Sequence, residues 1–338
     1  MIEYQMANKV KSEPTRFFWY PYLIDENVNV IGGEGGTGKT YFLSGLIAAT
    51  TNMRVEGMGG TMKKCGTVLY LGGEDGNSSM RDRLEEVDAD LSKVALVEKC
   101  FDCMSKDFEE LLDKVVPDLV IFDALMSYFP DGLSENRYKD ARKVMDYLRD
   151  IARTRHICIV TVIHPSKRED YKLLHRFTGS GGFIDAVRSA TYIGFHPTDA
   201  ALRVGIQPKN NCADTEPFIF QLDRELGFAW RGTDPDITIS DIEKSVKLHN
   251  SNRSGLMKRY IGMIADLLKK YPMGIEATAT EILDMYNKEI VNTNVEVRSF
   301  AAAINKTEIR NELEKKNIVL INGKRTDNRQ RYNIYYKR

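Results

Sequence analysis

Eight residues, Gly33-Glu34-Gly35-Gly36-Thr37-Gly38-Lys39-Thr40, satisfy the pattern G-x4-G-K-[ST] in full. An apolar run, Val28–Ile31, precedes them, and a stretch with the apolar spacing of a helix starts near Lys39. In that setting the glycines let main-chain N–H groups turn inward on phosphate oxygens, and the helix N-terminus adds a favourable dipole. Lys39 neutralises the β- and γ-phosphates and the Thr40 hydroxyl completes a Mg²⁺ shell. The run from Gly33 through Tyr41 is therefore the candidate site for ATP and its magnesium ion.

Three further strand ends carry groups of the right chemistry. Pro117-Asp-Leu-Val-Ile-Phe-Asp123 is an apolar strand closing on a carboxylate, which beside a phosphate loop holds Mg²⁺ through water. Ala124 follows it, so the base that orients the attacking water comes from elsewhere. Val68-Leu-Tyr-Leu-Gly-Gly-Glu74-Asp75 supplies it: Glu74 is the candidate base, and Asp75 is either a supporting carboxylate or the cap of the helix that carries Met80, Leu84 and Val87. Ile159-Val-Thr-Val-Ile163 ends on His164, placed to hydrogen-bond a γ-phosphate and to couple the loop Pro165–Thr178 to nucleotide state. That loop holds Lys167, Arg168, Lys172, His175 and Arg176 and is either a track for a nucleic-acid backbone or a solvated charged segment.

The elements that must position these groups follow from periodicity. Between residues 18 and 232 short apolar runs alternate with helical stretches, as in a mostly parallel sheet covered by helices. The runs are Val28–Ile31, Thr67–Leu71, Leu119–Phe122, Ile157–Ile163, Ala190–Gly194 and Leu202–Ile206, with a crossover helix at Arg137–Arg153 and a closing antiparallel hairpin of Phe218–Leu222 with Phe228–Trp230. In the carboxyl-terminal region the expected helices are Met257–Tyr271, Thr280–Lys288 and Val295–Asn305, with Glu308–Lys316 continuing or following the last. Ile318–Ile321 and Tyr332–Tyr336 then flank a charged turn over 322–331, and three helices with a β-hairpin describe a winged helix.

Composition limits the partners less than it first suggests. The chain has 338 residues, 42% of them apolar, and equal numbers of basic and acidic side chains, which excludes disorder, a collagen and a small disulfide scaffold. Residues 241–338 nonetheless hold 19 Lys+Arg against 12 Asp+Glu, so an acidic body carries a basic tail suited to a polyanion. Lys324, Arg325, Arg329 and Arg331 cluster at the expected wing, while the expected recognition segment Val297–Asn305 has few base-reading side chains. A protein-interaction module is the alternative for this tail. Five scattered cysteines, no signal-peptide pattern and no long apolar run imply buried thiols in a cytoplasmic protein with no membrane partner.

Taken in order, Trp19-Tyr-Pro-Tyr, Gly32–Thr40, Gly73-Glu-Asp75 with Met80-Arg-Asp-Arg-Leu84, Leu119–Asp123, His164-Pro-Ser-Lys167 and Gly179–Arg188 resemble the RepA-type hexameric replicative helicases of the RecA-like ATPase class, over about residues 17–230. The resemblance implies a RecA-like P-loop α/β core, single-stranded DNA as partner, and a homo-oligomeric ring, a hexamer, with ATP between subunits. It also implies a cation donated by a neighbour to the γ-phosphate. Arg188 matches the arginine that follows the small-residue run; where a related pattern has Lys-x-Arg, this chain has Lys209-Asn-Asn211. The donated cation is thus either Arg188 or Lys209, and Arg188 is otherwise an ordinary ion-pair residue. The expected organisation is an extension at 1–17, the ATPase domain at 18–232, a linker at 233–252 and the winged-helix-like domain at 253–338. The function expected is a nucleic-acid-dependent ATPase and DNA helicase, or else an ATP-switched DNA-binding or loading regulator that does not unwind.

Overall fold

The computed structural model describes residues 6–10, 13–63, 66–73, 76–164, 181–223, 226–291, 293, 295–326 and 329–337. Contacts divide the chain into two compact units, Met1–Val246 and Lys247–Arg338.

The first unit opens with two short strands, β1 (Phe17–Tyr20) and β2 (Leu23–Ile24), followed by β3 (Val28–Gly32) and helix α1 (Lys39–Asn52). Next come β4 (Thr61–Met62), β5 (Val68–Gly72), α2 (Asn77–Glu86), β6 (Val94–Val97), α3 (Lys106–Val115) and β7 (Leu119–Asp123). The crossover helix α4 (Tyr138–Arg155) leads into β8 (Cys158–Ile163), and α5 (Gly182–Ala186) into β9 (Ser189–Phe195). The unit's strands end with β10 (Leu202–Asn210), β11 (Phe218–Asp223) and β12 (Gly227–Thr233).

Nine of these strands form one sheet in the order β12-β11-β10-β9-β3-β8-β7-β5-β6. The pairings from β6 through β9 are parallel and those from β9 to β12 antiparallel. This is the expected α/β architecture with a mostly parallel central sheet. Strand alternation divides the buried side chains between two faces. Leu69, Leu71, Val120 and Phe122 pack with Phe108, Val144 and Leu148 of α3 and α4. Val68, Tyr70, Leu119 and Ile121 pack with Phe42, Leu46, Met80 and Leu84 of α1 and α2. Strands covered on both faces read as near-continuous apolar runs, which is why sequence located them. Edge strand β6 was not expected; its four residues are only half-buried, so its pattern is weak.

The small sheet β2-β1-β4 was also unforeseen. It places Trp19 in an aromatic cluster, with ring centroids 4.5 Å from Tyr22, 5.0 Å from Phe218 and 5.6 Å from Trp230. Phe42, in the first turn of α1, stacks on Phe218 at 5.5 Å.

Helix α6 runs from Ile239 to Lys270, across the stretch expected to be a linker. Ile237, Ile242 and Val246 are buried in the first unit's core, so the polar segment at 231–236 ends no domain; it is the end of β12 and a turn before α6. Polar composition marks a turn as readily as a linker.

In the second unit, β13 (Ile275–Thr278) precedes helices α7 (Ala279–Glu289), α8 (Val297–Ile304) and α9 (Thr307–Glu314) and strands β14 (Ile318–Thr326) and β15 (Arg329–Tyr336). The strands form an antiparallel sheet in the order β13-β15-β14. Its core gathers Ile264, Leu267, Ile282, Phe300, Ile304, Ile309, Leu313, Ile318 and Ile334. The Thr278 side chain caps α7 in a reciprocal capping box with Glu281. Of the two readings left open for Glu308–Lys316, the structure selects the second: α9 follows the preceding helix as a separate element. The charged segment 322–331 is mostly ladder, paired out to Thr326 opposite Arg329, because cross-strand hydrogen bonds tolerate polar side chains on an exposed ribbon.

Among the described residues no helix is long and apolar enough to cross a membrane. Of the described cysteines Cys103 and Cys158 are buried, while Cys100 is exposed and Cys212 half-buried, so the expectation of uniformly buried thiols holds for only part of the set. Burial pushes the Cys103 thiol up to about 12.

Candidate functional site

The sheet order brings the expected groups to one edge. Strand β8 lies between β3 and β7, with Gly32 level with Ile163 and Phe122 level with Thr161, and Gly72 of β5 is level with Asp123. The phosphate loop, Asp123, the end of β5 and His164 therefore all leave the sheet at its carboxyl edge, where ligands bind in open α/β sheets. His164 is exposed there.

The loop's geometry depends on two glycines in particular. A Cβ on Gly33 would lie 2.4 Å from the Ile193 carbonyl oxygen of β9, and Gly38 has φ +84° with no side-chain cap on the helix it opens. The uncapped first turn of α1 directs its N–H groups at the loop, the arrangement that holds phosphate. Lys39 is buried, and its ammonium donates to the carbonyls of Gly33 at 2.8 Å and Glu34 at 3.0 Å. The Thr37 hydroxyl donates to Glu34 O at 2.9 Å, which braces the turn. Gly35 and Gly36 are exposed at its tip, and Tyr41 lies within the first turn of α1, its ring 5.7 Å from the Arg83 guanidinium.

Thr40 and Asp123 converge, the threonine hydroxyl donating to the carboxylate at 3.5 Å. Hydroxyl and carboxylate oxygens are the hard donors that Mg²⁺ takes while keeping several waters, so the pair suits that ion. Among the described residues no group of three or more His, Cys, Asp or Glu could hold a metal ion.

Glu74 and Asp75 lie outside the described residues, as does the loop Pro165–Thr178. Gly73, one residue before Glu74, donates its N–H to Asp123 O at 3.0 Å, so the chain reaches the carboxyl edge there. Arg188 and Lys209 are elsewhere. Arg188 precedes β9, and Lys209 pairs opposite Ala190 near the start of that strand, so both sit at the edge away from the phosphate loop. Lys209 donates to Ile184 O at 2.7 Å, and the Asn211 N–H to Arg188 O at 3.0 Å. Neither cation reaches the phosphate loop of its own chain.

Two features near the loop escaped sequence reasoning. Leu222, Phe220 and Arg203, from β10 and β11, back Gly38. Tyr70 donates its hydroxyl to Asp123 Oδ2 at 2.8 Å. A tyrosine within an apolar strand reads as core, and only strand pairing reveals which polar atom its hydroxyl meets.

In the second unit, Lys324, Arg325 and Arg329 are exposed on the hairpin. Arg331 is already engaged: it donates to Glu276 O at 2.7 Å and forms ion pairs with Glu276 and Glu281. Helix α9, which directly precedes the hairpin, carries Glu308, Glu312 and Glu314.

An AAA domain family matches residues 5–170. No curated protein matches the chain. Similar solved structures include a DnaB-like replicative helicase, described with its interactions with primase, at 12% identity and TM-score 0.47 over 60% of this chain and 57% of that one. A KaiC-like protein from Pyrococcus horikoshii OT3 is 15% identical, with TM-score 0.46 over 65% and 97%. The flagellar accessory protein FlaH from Methanocaldococcus jannaschii is 15% identical, with TM-score 0.44 over 61% and 89%.

Proposed function

We propose that this protein is an ATP-hydrolysing, nucleic-acid-dependent motor of the RepA-type replicative helicase kind, acting in replication of a plasmid, phage or mobile element. The observation that carries this reading is the convergence of Lys39, Thr40 and Asp123 at the carboxyl edge of the sheet, the parts that phosphoryl transfer requires. The AAA domain match over the same residues supports it. Lys39 holds the terminal phosphates, and Thr40 and Asp123 hold Mg²⁺, which when bound neutralises charge on the phosphate oxygens. Glu74 orients the attacking water, and His164 reports on the γ-phosphate. Arg188 or Lys209 acts on the nucleotide of a neighbouring copy in a ring, taken to be a hexamer; their place at the far edge of their own sheet suits a role in trans.

The second unit is read as a winged helix, from its strand order and the hairpin that follows its last helix. Its contact with DNA is expected through the hairpin rather than through the acidic α9. With Arg331 committed to Glu276 and Glu281, three cations remain for phosphate, so changing Lys324, Arg325 and Arg329 to Ala should reduce the salt slope of DNA binding by about 2.7. Fluorescence anisotropy over a salt series measures this; an unchanged slope removes the hairpin from the interface.

Hydrolysis by the purified chain is expected to rise with single-stranded DNA, and a forked duplex to be separated in the presence of ATP. DNA-independent hydrolysis with no unwinding at any salt would refute the motor reading. Asn211, standing where the related pattern has arginine, favours a second reading, an ATP-switched DNA-binding or loading regulator. A nucleotide-dependent change in DNA affinity without strand separation would select it.

A further inference from the structure

Tyr70 is 2% exposed and packs with the core between the sheet and α1, a place that a phenylalanine would fill equally well. Its hydroxyl instead meets Asp123 Oδ2 at 2.8 Å, the same oxygen that faces Thr40. The approach is made possible by Gly72, two residues on and so on the same face of β5. A Cβ at Gly72 would lie 2.7 Å from Cε1 of the Tyr70 ring, so the ring lies along the strand over the glycine and carries its hydroxyl to the neighbouring strand end. Glycine, tyrosine and aspartate thus form one device across two paired strands, with Tyr70 level with Ile121 and Gly72 level with Asp123.

We propose that Tyr70 is a positioning residue for the metal: its hydroxyl fixes the rotation of the Asp123 carboxylate and so sets the affinity of the site for Mg²⁺, not its affinity for the nucleotide. A carboxylate on a freely turning bond must be ordered when the ion arrives, whereas one already held by a hydrogen bond is not. Groups that hold a metal-binding residue in this way typically change metal affinity by about 10–100-fold when removed. The proposal rests on the nucleotide-magnesium reading of the site.

The test uses the full chain and a fluorescent ADP, titrated first in EDTA and then in rising MgCl₂. Tyr70→Phe is expected to leave the affinity in EDTA unchanged and to raise the Mg²⁺ needed for half-maximal enhancement roughly ten-fold. Gly72→Ala, which keeps the hydroxyl but displaces the ring, should move the same curve in the same direction. In an Asp123→Asn background, Tyr70→Phe should add nothing. Coincident Mg²⁺ curves for Tyr70→Phe and the unaltered protein, or an equal loss with and without Mg²⁺, overturn the proposal. If the unaltered protein binds the nucleotide without regard to Mg²⁺ or to Lys39→Ala, the phosphate-loop reading itself falls, an outcome distinct from a failure of Tyr70 alone.

Discussion

Replacing Lys39 by Ala is expected to cut ATP hydrolysis by at least two to three orders of magnitude, the usual loss when one preorganised donor to a developing negative charge is removed. Lys39 is buried at the start of α1, and its ammonium is held inside the loop by the carbonyls of Gly33 and Glu34. A nucleotide's phosphates would replace those carbonyls as acceptors without the lysine leaving its place. The substitution leaves the Gly33 carbonyl short of a donor, a cost of about 1–3 kcal/mol if it stays dry, whereas the Glu34 carbonyl keeps the Thr37 hydroxyl. Gly35 and Gly36 beside them are exposed, so water can repair part of that loss and the fold is expected to survive. Steady-state hydrolysis together with circular dichroism decides the matter: a folded variant with undiminished hydrolysis would remove the phosphate loop from catalysis.

The largest effect on stability is expected from Trp19→Ala, about 3–5 kcal/mol. Trp19 is 1% exposed and contacts rings from four separate parts of the chain: Tyr22, Phe42, Phe218 and Trp230. Its indole N–H also donates to Gly59 O at 2.8 Å, so truncation opens a cavity and leaves an acceptor unpaired. For a unit of this size each kcal/mol lowers the melting temperature by roughly 2–4 °C, so a shift of about 10 °C is expected in the transition of the first unit. The second unit's core contains none of these rings and supplies the internal control. Trp19→Phe keeps most of the packing and should cost far less. A Trp19→Ala protein that melts within a degree or two of the original would mean that the small amino-terminal sheet is an ornament. The cluster also bears on the site, because Phe42 belongs to it and lies three residues after Lys39.

How much of this was legible without coordinates depended on the kind of signal. The parallel strands β3, β5, β7, β8 and β9 were located to within a residue or two because a strand buried on both faces must be apolar along its whole length. Short or half-buried elements were missed for the complementary reason. Strand β6 is half-buried throughout, β13 has only four residues, and β2 and β4 only two each, too few for a period to register. The boundary between the two units, Val246 to Lys247, falls inside the expected linker, but α6 also begins there, and Ile237, Ile242 and Val246 are apolar positions whose partners lie elsewhere in the chain.

Sequence by itself determined the phosphate loop, the α/β class and the carboxylate at the end of β7, since each depends on local residue types whose chemistry and period are readable in order. Only the tertiary structure decided which strands are neighbours. Placing β8 between β3 and β7 brings Thr40 to Asp123, and the antiparallel return of β10 carries Lys209 to the far edge with Arg188. The same pairing turned Tyr70 from a core aromatic into a partner of Asp123, and the hairpin of the second unit tied Arg331 to Glu276 and Glu281. Hydrogen bonds and ion pairs between residues distant in sequence depend on strand order and register, which no local pattern encodes.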